Sequence, residues 1–257
     1  MKNHTILVTG TNGFIANELI HFLKKKKLNV ISTSKYKNTK YIFLNFNVTP
    51  KKNINLPKFD FLIHLAYARK SSFIDEKNIN YEYSKILFKL AKKNNAKIIY
   101  ISSQISAKNS LSKYGKIKFY IENLAKQYDS LIIRPGLVYK KNTYDGLYGQ
   151  INWITKKYPI ILFPSGLNKK IYLCRIENLL SRIYFYINNR QNFEFHIIND
   201  KESYTLKTLI SKIIVENHKR IILIPVNYRV IFYLLKILEI FKVNFKFKAD
   251  SLLSLKK

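Results

Sequence analysis

Tyr114 and Lys118 stand four residues apart, so a helix would carry both on one face. A lysine ammonium beside a phenol favours the phenolate. That help matters, because tyrosine, with a pKa of about 10, is a poor base at neutral pH on its own. Ser103 follows the apolar run Ile99-Tyr100-Ile101 and offers a hydroxyl to orient a substrate oxygen; Ser102 takes that part if the strand register slips by one. A second constellation lies near the amino end, in Val8-Thr9-Gly10-Thr11-Asn12-Gly13-Phe14-Ile15-Ala16. It ends a strand, turns sharply and opens a helix. Gly10 allows the tight turn, Gly13 the close approach of a pyrophosphate to the helix amino end, and Ala16 close packing of helix on sheet. The two constellations imply a dinucleotide site and a proton-moving tyrosine.

The elements that must position them alternate along the first half. Strands are expected at Thr5–Thr9, Asn29–Thr33, Tyr41–Asn45, Phe59–Leu65, Lys97–Ile101 and Ser130–Arg134. Between them Ile15–Lys26, Asn78–Lys93 and Tyr114–Tyr128 repeat apolar residues at helical spacing. Strand-helix alternation of this kind predicts an α/β fold with a doubly wound parallel sheet. Residues 1–140 are expected to form that domain. Residues 141–257 are expected to form a small, reduced lobe, with some elements returning to the first domain. There Asn142–Gly149 reads as loop, Ile151–Lys157 as helix and Tyr158–Lys170 as loop or short strand. Helices at Glu177–Asn188 and Thr205–Glu216 flank a strand at Glu194–Ile198. Val226–Phe241 reads as a helix packed on this lobe. Arg229, Lys236 and Glu239 interrupt it too often for a bilayer span, and Lys242, Lys246 and Lys248 beyond it suit an anionic membrane surface.

Composition bounds the partners. The 257 residues carry 46 Lys plus Arg against 15 Asp plus Glu, a net charge of +31, yet 47% are apolar, which excludes a disordered basic tail. Of the cations 39 are Lys and 7 Arg, with 26 Asn and 37 Ile beside them; all but Arg have A/T-rich codons, so base composition accounts for much of the charge. Scarce arginine argues against nucleic acid, since Arg makes the bidentate phosphate and base contacts. A single cysteine, Cys174, excludes a disulfide framework and a cysteine-rich zinc module, and no ligand-spaced cluster suggests a metal. Thr5–Val8 leads straight into the glycine turn without a secretory apolar core, so a cytoplasmic protein is expected, with a peripheral place at the inner membrane face as the alternative that the lysines after Phe241 leave open.

The glycine turn resembles the opening of the extended short-chain dehydrogenase/reductases, specifically the nucleotide-sugar epimerase/dehydratase family. His64-Leu65-Ala66-Tyr67-Ala68, the helix with Asn80, Leu87 and Ala91, and Arg134-Pro135-Gly136-Leu137-Val138-Tyr139 resemble further motifs of that family in the right order. So do Asn168–Tyr172 and Ile176–Leu179. The resemblance implies a Rossmann-like fold with NAD or NADP as cofactor, and catalysis by Ser103, Tyr114 and Lys118. It implies cofactor contacts from Gly10, Thr11, Asn12, Gly13, Phe14, Ile15, Asn47, Val48, Leu65, Ala66, Tyr67, Tyr114, Lys118, Pro135 and Gly136. Substrate diphosphate would meet Lys169, Lys170 and Arg175. NAD enzymes usually place an acid after the second strand, but none occurs between Glu18 and Asp60. Ser34, Lys35 and Lys37 stand there instead, and favour the 2′-phosphate of NADP.

The likeness has departures. The Ser103–Tyr114 interval is short, Leu137 and Lys140 replace Asn and Gly, and no Asp-Glu pair follows Ser103 to run a dehydration. The implied activity is reduction of a nucleotide-linked 4-keto sugar for surface polysaccharide synthesis. The alternatives are a 4-epimerase, or a non-catalytic relative that binds RNA or a membrane. A homodimer and an anionic membrane are the other partners considered.

Overall fold

The computed structural model describes residues 4–37, 41–50, 54–68, 74–141, 143–144, 146–189, 195–241 and 247–256. In chain order the first elements are β1 (Thr5–Thr9), α1 (Phe14–Lys25), β2 (Asn29–Ser34), β3 (Ile42–Phe43), β4 (Phe61–His64), α2 (Ile79–Lys93), β5 (Lys97–Ile101), α3 (Lys113–Lys126) and β6 (Leu131–Pro135). Then follow β7 (Leu137–Tyr139), α4 (Gly146–Lys157), β8 (Ile160–Ser165), β9 (Ile171–Arg175), α5 (Ile176–Asn189) and β10 (Phe195–Ile198). The last are β11 (Ser203–Tyr204), α6 (Leu206–Glu216), β12 (Ile222–Asn227), α7 (Tyr228–Ile240) and α8 (Ala249–Leu253). The chain divides into two units. One holds Met1–Asn109, Tyr114–Pro135 and Ile176–Ile198; the other holds Ser110–Lys113, Gly136–Arg175 and Asn199–Lys257.

The first unit is built on a seven-stranded sheet in the order β10-β6-β5-β4-β1-β2-β3, with every neighbouring pair parallel. The chain runs outward from β1 through β2 and β3, then crosses to β4 and runs outward the other way. The winding direction therefore changes between β1 and β4, and the sheet is doubly wound and Rossmann-like. Its central strands are continuously apolar because helices cover both faces. Leu87 and Phe88 of α2 and Ile117 and Ile121 of α3 pack against Leu62 and Tyr100 on one face. Alternate strand residues such as Ile6, Val8 and Ile63 are buried on the other, where α1 and α5 lie side by side with Phe22 edge-on to Tyr184.

Helix starts differ in a way that matters below. Asn78 caps α2 by accepting from the Asn80 amide, and Thr205 caps α6 in a reciprocal box with Thr208. Gly13 begins α1 with no side-chain cap and no acid in the first turn.

The second unit joins a three-stranded sheet, β11-β9-β7, to a parallel pair, β12-β8. Its core gathers Tyr148, Ile151, Phe163, Leu173, Leu209 and Leu235. Short strands appear at β7, β9, β11 and β12, where the sequence suggested none, and α4 begins inside the expected loop. Val226 and Asn227 belong to β12 rather than to the following helix, and the Asn227 side chain caps α7 by accepting from Arg229 N at 3.0 Å. Gly136 allows β7 to pass β9: a Cβ there would lie 2.4 Å from the Tyr172 carbonyl oxygen.

Candidate functional site

The glycine turn sits where the winding reverses. Gly10 has φ +85°, a conformation that suits glycine, and a Cβ on it would lie 2.9 Å from Ala66 Cα. The turn and the loop after β4 are therefore in backbone contact. Gly13 N donates to Gly10 O at 2.8 Å. Thr11 braces the turn against β2, its hydroxyl donating to Thr33 O at 2.7 Å. Asn12 Oδ1 accepts from the Ser34 hydroxyl at 3.0 Å and from Lys35 N at 3.3 Å. The first N–H groups of α1 are left without a side-chain acceptor, which suits an anion. The donors of this cradle suit a diphosphate, and a side chain at Gly10 would push the turn off Ala66 and disturb it.

Below the turn a buried polar chain joins β1 to β4. Ser84 Oγ donates to Asn80 O at 2.6 Å, so it accepts from His64 Nε2 at 3.0 Å. His64 Nδ1 then accepts from the Thr9 hydroxyl at 2.8 Å, and Thr9 Oγ1 in turn accepts from the amides of Leu65 and Ala66 at 3.1 Å. The network requires a neutral imidazole with its proton on Nε2. Burial, with a smaller contribution from the Lys118 charge, pushes the His64 pKa from 6.5 to about 3. Between those values the unfolded chain binds a proton that the folded chain does not. Stability therefore falls as pH drops from 6.5 toward 3, by about 1.4 kcal/mol per pH unit from this group. Urea unfolding of wild type and His64→Gln between pH 7 and 4.5 tests this. The stability gap between them is expected to shrink as pH falls, and a constant gap excludes His64 as the cause.

Tyr114 and Lys118 lie at the carboxyl end of β5. Lys118 is only 3% exposed, and its ammonium donates to Ile101 O at 2.8 Å. Nζ lies 4.8 Å from the centroid of the Tyr100 ring and 5.7 Å from those of Tyr67 and Tyr114. Tyr67 meets Tyr114 edge-on at 4.8 Å. Three phenols thus surround one lysine. Burial raises Tyr100 well above its ordinary value, with Tyr114, Glu122 and Tyr67 adding to the rise, so it stays protonated. Its hydroxyl finds no partner among the described residues. Tyr114, half-buried in the first turn of α3, is the phenol that shares a helix face with Lys118.

Desolvation lowers the Lys118 pKa from 10.5 to about 7, while Glu122 one turn on raises it. Glu122 is itself buried and held in a two-pronged ion pair by Arg134, whose Nε and Nη2 donate to its oxygens at 2.7 and 2.5 Å. The Phe195 ring lies 4.8 Å from that guanidinium. Sequence reading missed Tyr100 and Glu122 as part of this cluster; the Lys118–Glu122 spacing of one helical turn was the available signal.

The remaining expected residues are placed as follows. Ser103 is half-buried just past β5, where its Oγ accepts from Ile105 N at 3.5 Å, and Ser102 Oγ is buried without a described partner. Ser34 is buried and its hydroxyl is committed, donating to Asn12 and accepting from Tyr36 N at 3.0 Å. Lys35 and Lys37 are exposed at the end of β2, Lys35 lying over the Tyr36 ring. Asn47 and Val48 are exposed after β3, Phe14 and Ile15 open α1, and Pro135 closes β6. The second unit does not gather its three cations. Lys169 donates to Ser254 O at 3.1 Å, Lys170 is exposed before β9, and Arg175 ends β9 with Nε donating to Tyr139 Oη at 3.1 Å. Five rises of about 3.3 Å along β9 set Lys170 and Arg175 about 16 Å apart. Among the described residues no three His, Cys, Asp or Glu side chains are grouped to hold a metal ion.

The family model described as the NAD dependent epimerase/dehydratase family matches residues 6–145. No curated protein matches the sequence. Solved structures of similar fold include MoeE5 in complex with UDP-glucose and NAD, at 16% identity and TM-score 0.71, covering 87% of this chain and 85% of that one. A dTDP-4-dehydrorhamnose reductase from Clostridium acetobutylicum is similar at 19% identity and TM-score 0.70, covering 87% and 84%. A UDP-N-acetylglucosamine 4-epimerase from Bacillus cereus is similar at 16% identity and TM-score 0.70, covering 87% and 85%. A reductase and an epimerase match equally well, so backbone shape does not separate the two reactions.

Proposed function

Because the chain belongs to the NAD dependent epimerase/dehydratase family, whose members act on nucleotide-linked sugars, we propose that it uses NADPH to reduce a 4-keto sugar carried on a nucleoside diphosphate. The observation that carries this reading is the lysine seated among tyrosines at the end of β5, in the same unit as the uncapped start of α1. Gly10 to Ile15 and the loop from Leu65 to Tyr67 would hold the dinucleotide, with Asn47 and Val48 beside adenine and Pro135 and Gly136 toward nicotinamide. When bound, the nicotinamide supplies the hydride. Tyr114 gives its phenolic proton to the C4 oxygen as C4 gains that hydride, and takes a proton back from solvent. Lys118 stabilises the phenolate and holds the nicotinamide ribose, while Ser103 orients the keto oxygen. Of the three candidate cations, Lys170 and Arg175 are exposed; Arg175 is engaged with Tyr139 Oη, and Lys170 is the proposed contact for the substrate diphosphate.

Preference for NADPH rests on the end of β2. Ser34 is spent on bracing Asn12, so the exposed Lys35 and Lys37 are left to meet a 2′-phosphate, Lys35 being the nearer to β2. An exchangeable NADPH consumed once per turnover suits a reductase rather than an epimerase. The test is turnover by the full chain with NADPH and NADH against UDP-, GDP-, CDP- and dTDP-linked sugars and their 4-keto forms. One NADPH oxidised per keto sugar is expected; interconversion of epimers without net oxidation rejects the reductase reading in favour of the epimerase. Lys35→Asp is expected to lower kcat/KM for NADPH about tenfold or more, as loss of one charged contact would, and to spare NADH.

A further inference from the structure

Helix α7 has thirteen residues, of which only Arg229, Lys236 and Glu239 are charged. A helix apolar all round has both sides covered in its working state. Here one side is covered: Ile231, Phe232 and Leu238 pack on the second unit's core around Leu235, which is 5% exposed. The other side carries Val230, Tyr233, Leu234, Ile237, Ile240 and, at the C-cap, Phe241. Tyr233, Ile240 and Phe241 keep 64%, 74% and 75% of their surface in solvent. Their three- and four-residue spacing places these six on a single stripe.

Charge decides what covers that stripe. Arg229 and Lys236, seven residues apart, follow one edge of it. In the sequence Lys242 and Lys246, which lie outside the described residues, and Lys248 come next, and the only acid between Arg229 and Asp250 is Glu239. Glu239 is spent elsewhere, accepting from Ala249 N at 2.9 Å and pairing with Lys236 at 3.5 Å. A second copy would bring the same cations, and a further net +31, against this edge. An anionic phospholipid surface is complementary to both features, because it takes the apolar stripe among its acyl chains and the lysines at its phosphates. At about 1.5 Å per residue α7 is about 20 Å long, and among the described residues no helix is long and apolar enough to cross a membrane. We propose that α7 is an in-plane anchor that seats the chain on an anionic phospholipid bilayer, with its stripe at the boundary of headgroups and acyl chains. The inference is independent of the catalytic reading.

The test is flotation of the full chain with vesicles of equal parts phosphatidylglycerol and phosphatidylcholine, and with phosphatidylcholine alone. Wild type is expected to float with the mixed vesicles and not with the neutral ones. Leu234→Glu with Ile237→Glu, and the charge-neutral pair Leu234→Ser with Ile237→Ser, are expected to lower partitioning about tenfold or more, since each removes buried methylenes from the anchor. Leu162→Glu with Ile224→Glu removes exposed apolar surface from β8 and β12 instead, and is expected to float like wild type. Thermal melting and NADPH binding by each variant establish that it is folded, separately from turnover. Failure of wild type to float overturns the proposal. So does retained flotation by both α7 pairs, or equal loss in the β8–β12 control. A wild-type dimer dissociated by the α7 pairs, with vesicle binding unchanged, assigns the stripe to a second copy and overturns it too.

Discussion

Tyr114→Phe is expected to lower kcat about 10³-fold, the range spanned by loss of a positioned acid or base, with NADPH binding and melting temperature preserved. The substitution keeps the ring, and with it the edge-on contact to Tyr67 at 4.8 Å and the 5.7 Å approach of Lys118. What disappears is the phenolic O–H, and the buried Tyr100 beside it cannot take over its proton. Tyr100 is sealed beneath Lys118 and held in its neutral form by burial. Stopped-flow NADPH oxidation with the 4-keto sugar that the substrate panel selects measures the effect. Turnover within tenfold of wild type would remove Tyr114 from the proton path, and Tyr67→Phe is then the variant to make.

Lys118→Met is expected to cut kcat by about 10²- to 10³-fold while raising, not lowering, stability at pH 7. Two effects compete. Carrying a pKa from 10.5 to about 7 on folding costs about 4 kcal/mol at neutral pH. Removing the ammonium orphans Ile101 O, which costs about 1–3 kcal/mol. Glu122 keeps its paired contact with Arg134, so it is not stranded. Relief of desolvation is the larger effect, and a gain of about 1–3 kcal/mol remains. The pH dependence identifies the source. Between pH 7 and 10.5 the unfolded chain binds a proton at this lysine that the folded chain lacks, so wild type gains stability as pH rises through that window and Lys118→Met gains less. Urea unfolding of both at pH 7 and 9.5 checks the sign; a variant less stable than wild type at pH 7 means that the lost hydrogen bond dominates.

How much of this was legible in the sequence follows from how local each signal is. Gly10 and Gly13 betray a turn because their constraint lies within nine consecutive residues, and Tyr114 with Lys118 because a helix fixes their spacing. The strands of the first unit were readable as apolar runs, since burial on both faces leaves no ambiguity of register. β7, β9, β11 and β12 were not. They are two to six residues long and gain their pairing from partners far along the chain. Ser34 and Lys169 look available for a ligand in sequence, yet their polar atoms serve Asn12, Tyr36 N and Ser254 O. The apolar composition of α7 could not say which half would be covered, because all of it is apolar enough to be.

The last strand of the large sheet carries a consequence for synthesis. β10 is the outer neighbour of β6, with Phe195 opposite Ile132, but the ribosome makes all of Gly136–Arg175 and α5 between them. During that interval, several seconds at about 5–20 residues per second, β6 is an open edge with unpaired amides and carbonyls, and the Glu122–Arg134 pair lacks the cover of Phe195. The nascent chain is then at its most exposed to strand pairing with another copy. Slowing translation between Gly136 and Ile198 is therefore expected to raise the insoluble fraction of the expressed chain without changing any contact of the finished protein, and an unchanged insoluble fraction would show that the open β6 edge is harmless.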